Sequence, residues 1–136
     1  MSSCDILFQY IAEINWLWYA VASVVSFAIG GIWYSLLFAK AWLRVFRIKM
    51  GTVTAVTFIR TMSLQLAATL LYGLVFFILT KISVCLAVLT LVGFCGWEKG
   101  NLNFDFSNMK DFFMAVVIRV GYTFVAGIVF ILFALI

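Results

Sequence analysis

The stretch INWLWYAVASVVSFAIGGIWYSLLFA, residues 14–39, runs for 26 positions without a charged side chain. As a helix rising 1.5 Å per residue it reaches roughly 39 Å, and a hydrocarbon layer about 30 Å thick needs about 20 such residues. Backbone groups in lipid must be satisfied within their own segment, and the alternating polar pattern of a barrel strand is missing. The run is therefore expected to be a membrane-crossing helix. Three more follow: residues 61–80, residues 82–97, and residues 112–136, the last interrupted only by Arg119. The third is short, but Lys81 and Glu98 at its ends can snorkel outward to lengthen it.

The expected fold is an all-α membrane protein. It is a single transmembrane domain of residues 1–136, with four transmembrane helices at about 14–39, 60–80, 82–97 and 109–136. Short linkers make consecutive helices antiparallel neighbours in a bundle. In the linker before the fourth helix, Ser107 or Asn108 is placed to cap it, with Asp111 in its first turn.

Composition agrees. The 136 residues are 67% hydrophobic and 10% charged, with a mean hydropathy of +1.22, whereas an ordinary soluble domain is about 45–50% apolar and about 25% charged. So short a chain has no water-soluble core large enough for that much apolar surface. There is no histidine and no proline. The first absence removes the commonest metal ligand and general base; the second removes proline kinks. No metal or other cofactor is expected. Cys4, Cys85 and Cys95 show no paired metal spacing, and the last two lie roughly 15 Å apart along one helix, too far to bridge.

The net charge of +4 does not read as a nucleic-acid footprint, because the cations gather in short clusters between apolar runs. Lys40, Arg44, Arg47 and Lys49 lie between the first and second runs, and Lys99 and Lys110 between the third and fourth. Only Lys81 lies between the second and third. Basic loops in the cytoplasm then place both termini outside. Trp16, Trp18 and Tyr19 mark the outer end of the first span, and Trp33, Tyr34 and Trp42 its inner end. Residues 1–13 carry no Lys or Arg and so lack a signal peptide's basic region. Asp5, Gln9 and Glu13 instead form one polar stripe, fitting either an interfacial helix or an extension of the first span.

Candidate functional residues are few. Arg119 stands roughly 12 Å along a helix from Asp111, inside an apolar run where an arginine costs about 2.5–3.5 kcal/mol. No acid falls within any of the four runs. It can attract an anion or a lipid phosphate. It can also snorkel, or bond to backbone carbonyls or to a carboxylate of the segment from Glu98 to Asp111. Tyr122 shares its face of the helix. Thr61, Gln65, Ala68 and Tyr72 form a matching stripe on the second span, at a similar depth, either as packing glue or as the lining of a polar path. Ala22, Ser26 and Gly30 repeat every four residues in the first span, with Gly31 and Ser35 beside them. Gly93 and Gly96 lie in the third span. Such small residues let helices approach closely, within the chain or between chains.

No intramembrane carboxylate relay, glycine filter, phosphate loop or nucleophile–base pair is present, so no catalytic residue is expected. Asn15-Trp16, Gly31-Ile32-Trp33-Tyr34-Ser35 and Phe38-Ala39-Lys40-Ala41-Trp42, with the later Gly93-Phe94 and Gly121-Tyr122, resemble a bacterial membrane family known as the domain of unknown function 1761. Members usually carry proline after the Tyr-Ser pair, where Leu36 stands here. The resemblance implies a four-helix protein of the bacterial inner membrane and brings no activity. Expected partners are the lipid bilayer and either further copies of the chain or a membrane complex. The alternative is a small oligomeric channel or carrier for an anion, or a lipid-headgroup binder, built on Arg119 with Gln65, Tyr72 and Tyr122.

Overall fold

Ser2 and Asp5 begin the first helix by a reciprocal cap: the Asp5 amide donates to the Ser2 hydroxyl and the Ser2 amide donates to the Asp5 carboxylate, 2.7 Å away. In the computed structural model, which describes residues 2–49, 51, 53–105 and 108–136 and their side chains except those of 103–105, every regular element is helical. The order is α1 (Ser3–Ala12), α2 (Trp16–Ile32), a π-helical turn (Trp33–Leu37), α3 (Ala39–Val45), α4 (Ala55–Ile82), α5 (Val84–Asp105) and α6 (Met109–Leu135).

The starts of the long helices α2, α4 and α6 have a local cause. The side chains of Asn15, Thr54 and Asn108 accept from backbone amides that open α2, α4 and α6, offsetting donors that have no partner in a first turn. Of the two caps expected for the last helix, Asn108 serves; Ser107 lies outside the described residues. Glu13 closes α1 and Asn15 opens α2, so the polar N-terminal stripe belongs to a separate short helix rather than to an extension of the first span. Only Ser83, with extended backbone, separates α4 from α5, which makes them a tight hairpin.

Three of the expected spans are long and apolar enough to cross a membrane: Trp16–Leu37, Ala55–Ile82 and Met109–Leu135. The third expected span belongs to a longer helix. Its apolar part stops at Trp97, but α5 continues through Glu98 and Lys99 to Asp105. A boundary read from charge marks where the apolar run ends, whereas intrahelical hydrogen bonding carries the helix onward past it.

α6 touches α2, α4 and α5. Contacts fix the directions. Trp18 meets Phe133 and Trp33 meets Ile118, so α2 and α6 run oppositely. Tyr72 bonds to Thr123 and Phe77 packs on Phe130, so α4 and α6 run the same way. The core between them holds Phe76, Phe77, Leu91 and Phe130, all essentially buried. Gly73 gives Phe130 room to lie against α4, and Gly127 does the same for Leu91 and Tyr72. A smaller cluster of Val45, Leu102 and Ala115 anchors α3 to α5 and α6.

The first span departs from a plain helix. Phe38 N–H reaches back five residues to the Trp33 carbonyl, 3.0 Å away, and the chain bends there into α3. Proline is absent, so the bend comes from a π turn. Two anchors hold it: Trp33 Nε1 donates to the Ile118 carbonyl at 2.9 Å, and the Ser35 hydroxyl donates to the Gly31 carbonyl.

Candidate functional site: an intramembrane polar cluster

Four helices bring polar side chains to one level of the bundle. Tyr122 on α6 donates its hydroxyl to the Ser26 carbonyl of α2, 3.1 Å away, with its ring over Gly30; a Cβ at position 30 would stand 2.8 Å from the Tyr122 hydroxyl. The stripe Ala22, Ser26 and Gly30 is thus used inside the chain, and Ala22 and Ser26 are 0% exposed. The Ser26 hydroxyl is buried with no hydrogen-bond partner among the described residues. Tyr34 stacks edge-on against both Tyr122 and Trp42, at 5.5 and 6.0 Å.

Gln65, Tyr72 and Tyr122, three of the four polar residues singled out from sequence, line one notch of about 150 Å³ between α4 and α6, with Ala68, Thr69, Thr123 and Ala126. Its hydroxyls are already engaged. Tyr72 donates to the Thr123 carbonyl at 2.9 Å, Thr69 to the Gln65 carbonyl at 2.8 Å, and Thr123 to the Arg119 carbonyl at 3.0 Å. Each hydroxyl already uses its proton in a hydrogen bond and keeps only lone pairs to offer, so the exposed Gln65 amide is the notch's free donor. Such a surface can accept hydrogen bonds and pack helices. It holds no nucleophile paired with a base.

Arg119, the fourth residue, lines a different contact. Its Nη2 lies 3.2 Å from Glu98 Oε2 on α5, with side chains 42% and 27% exposed respectively, and its guanidinium carbon is 6.0 Å from the centre of the Phe46 ring. The sequence expectation that a carboxylate of the segment from Glu98 to Asp111 could serve as partner is met by Glu98. No hydrogen bond joins Arg119 to Gln65 among the described residues. Trp33 and Tyr34, assigned from sequence to the interfacial belt, also hold the π turn and the Tyr122 cluster. The available signals were Gly30, which leaves room for the ring of Tyr122, and Gly121, which leaves room for that of Trp33.

A second feature lies on α5. Gly93, Gly96 and Gly100 of α5 have nothing within 4 Å of where a Cβ would stand. Beside them Thr90, Gly93, Phe94 and Trp97 line a shallow groove of about 390 Å³. Among the described residues, no group of His, Cys, Asp and Glu side chains is placed to hold a metal. No family model, curated protein or solved structure matches the chain.

Proposed function

We propose that this chain is a four-crossing protein of a bacterial inner membrane, with both termini outside, and that it works by helix association rather than catalysis, as a homo-oligomer or as a subunit of a larger membrane complex. The observation that carries this reading is the contrast between two small-residue rows. The α2 row is filled by Tyr122 and α6, whereas the glycines of α5 lie open beside a groove edged by Trp97. Lipid tails offer no hydrophobic drive between helices, so close approach at small residues is what supports association there. The apolar part of α5, Val84 to Trp97, is only about 21 Å long as a helix. A span shorter than the bilayer is relieved by thinning, snorkelling or oligomerisation.

The channel and headgroup readings rest on a free cation in the span. Glu98 offsets the charge of Arg119, which favours association over anion transport. The test is light scattering of the purified chain in mild detergent. Gly96→Leu should lower the assembly mass without lowering the melting temperature, because the added side chain meets nothing inside the bundle; Gly31→Leu, at an open glycine of α2, should change neither. A wild type that is monomeric and brings no membrane protein with it on purification would sink the proposal.

A further inference from the structure

The bend after α2 does more than redirect the chain. Val45 anchors α3 inward on Leu102 and Ala115, which leaves Lys40 and Arg44, one turn apart, exposed on its outer side. Arg47 and Lys49 follow, both exposed. Lys40, Arg44 and Arg47 make no ion pair with a carboxylate among the described residues. Directly before them Leu36 and Leu37 are 76% and 63% exposed, so bare aliphatic surface passes into bare cationic surface within a few residues.

Arg47 adds an independent observation. It sits at φ 54°, the only non-glycine residue with positive φ among those described. Its amide bonds to the Arg44 carbonyl at 3.3 Å, and that of Ile48 to the Leu43 carbonyl at 3.0 Å. This is the left-handed helix end that glycine ordinarily supplies. An arginine held where glycine would fit without strain points to a use for its side chain.

We propose that this elbow is a binding site for an anionic phospholipid of the adjacent leaflet. Lys40, Arg44 and Arg47 take its phosphate, and the acyl chains lie along Leu36 and Leu37. The site rests on the membrane-crossing reading above. Three exposed cations in eight residues beside a span suit an acidic headgroup, each contributing roughly a fivefold gain in association near an anionic surface. An arginine fork matches phosphate oxygens better than a lysine point charge.

The experiment reconstitutes the full chain in phosphatidylcholine vesicles carrying a trace of spin-labelled phosphatidylglycerol or spin-labelled phosphatidylcholine, and reads the motionally restricted fraction of each. The wild type should restrict the anionic lipid preferentially, and added salt should weaken that preference. Arg47→Gly should relieve the strained backbone, raise the melting temperature and cut the preference roughly fivefold, while Arg47→Lys keeps only part of it. Equal restriction of the two lipids by the wild type would overturn the proposal, as would a preference unmoved by Lys40→Gln, Arg44→Gln and Arg47→Gly together. Competition by inorganic phosphate at constant ionic strength would reassign the elbow to free phosphate. Carbonate extraction of the same vesicles reports insertion separately, so a failure of the membrane-crossing reading is distinguishable from a failure of lipid choice.

Discussion

Arg119 and Glu98 face each other across the α5–α6 contact, and each sets the effect of replacing the other. Removing the arginine alone leaves a carboxylate in an apolar setting; removing the glutamate alone leaves the cation. Both are partly exposed, so the loss in either single variant should fall between the ~1 kcal/mol of a surface pair and the ~3 kcal/mol of a broken buried one. Arg119→Leu combined with Glu98→Leu should recover most of it, since no charge is then left without a partner. Thermal melts of the four members of this cycle in one detergent measure the coupling, and additive losses would show that the pair contributes nothing. The arginine was legible in the sequence because an isolated cation in an apolar run is costly wherever it stands. Its partner was less legible. Glu98 lies just past the apolar run of α5, and only the register of the α5–α6 hairpin decides that residues 98 and 119 meet. Ser26 shows the same limit: its place in a small-residue row was readable, but its unpartnered hydroxyl depends on which helix covers the row.

At the scale of elements, the helices were legible and their internal breaks were not. Long uncharged runs fix where lipid-compatible helices lie, yet the π turn at Trp33–Leu37 depends on an indole reaching a carbonyl 85 positions away. No local pattern encodes that. The reverse holds for α1, where Ser2 and Asp5 act within a single turn. Ser2's backbone amide, followed by its hydroxyl, holds the Asp5 carboxyl below its ordinary value of 3.8. The group is depressed on folding, so its contribution is complete above that value and is lost as pH falls through the lower, folded one. A spin label on Cys4 should therefore stay ordered at neutral and mildly acid pH and gain mobility only below the ordinary carboxylate range. Ser2→Ala should move that onset upward, because the hydroxyl no longer favours the ionised form. Mobility independent of pH in both proteins would separate α1 order from its cap.

The whole molecule poses a topological problem that the separate helices do not. α4 and α6 run in the same direction, as the Tyr72–Thr123 bond and the Phe77–Phe130 contact require, and both are long and apolar enough to cross a membrane. On the four-crossing reading proposed above, the end of α4 and the start of α6 lie on opposite faces, and α5 with the residues that follow it is the covalent path between them. On that reading a helix whose apolar part reaches only from Val84 to Trp97 carries the chain back across. The register shows where it falls short. Tyr72 sits beside Phe94 and Thr123, so Glu98 and Arg119, about a turn further on, stand level with Ala68 and Thr69 rather than with Arg60, roughly 12 Å beyond. The ion pair lies within the length of α4, where, on that reading, thinning of the bilayer, a partner on the open glycine face, or both, can shelter it. Thiol labelling tests the crossing directly. In a background with Cys85→Ala and Cys95→Ser, a membrane-impermeant reagent added outside oriented inner-membrane vesicles should reach Cys4 and a thiol introduced by Lys81→Cys, and should miss thiols introduced by Arg44→Cys or Lys110→Cys. Inverted vesicles should give the opposite pattern. Positions 81 and 110 are joined through α5, so their labelling from opposite faces is the passage of α5 itself. Labelling of both from the same face would leave α5 uncrossed and remove the four-span architecture, whatever the behaviour of Cys4.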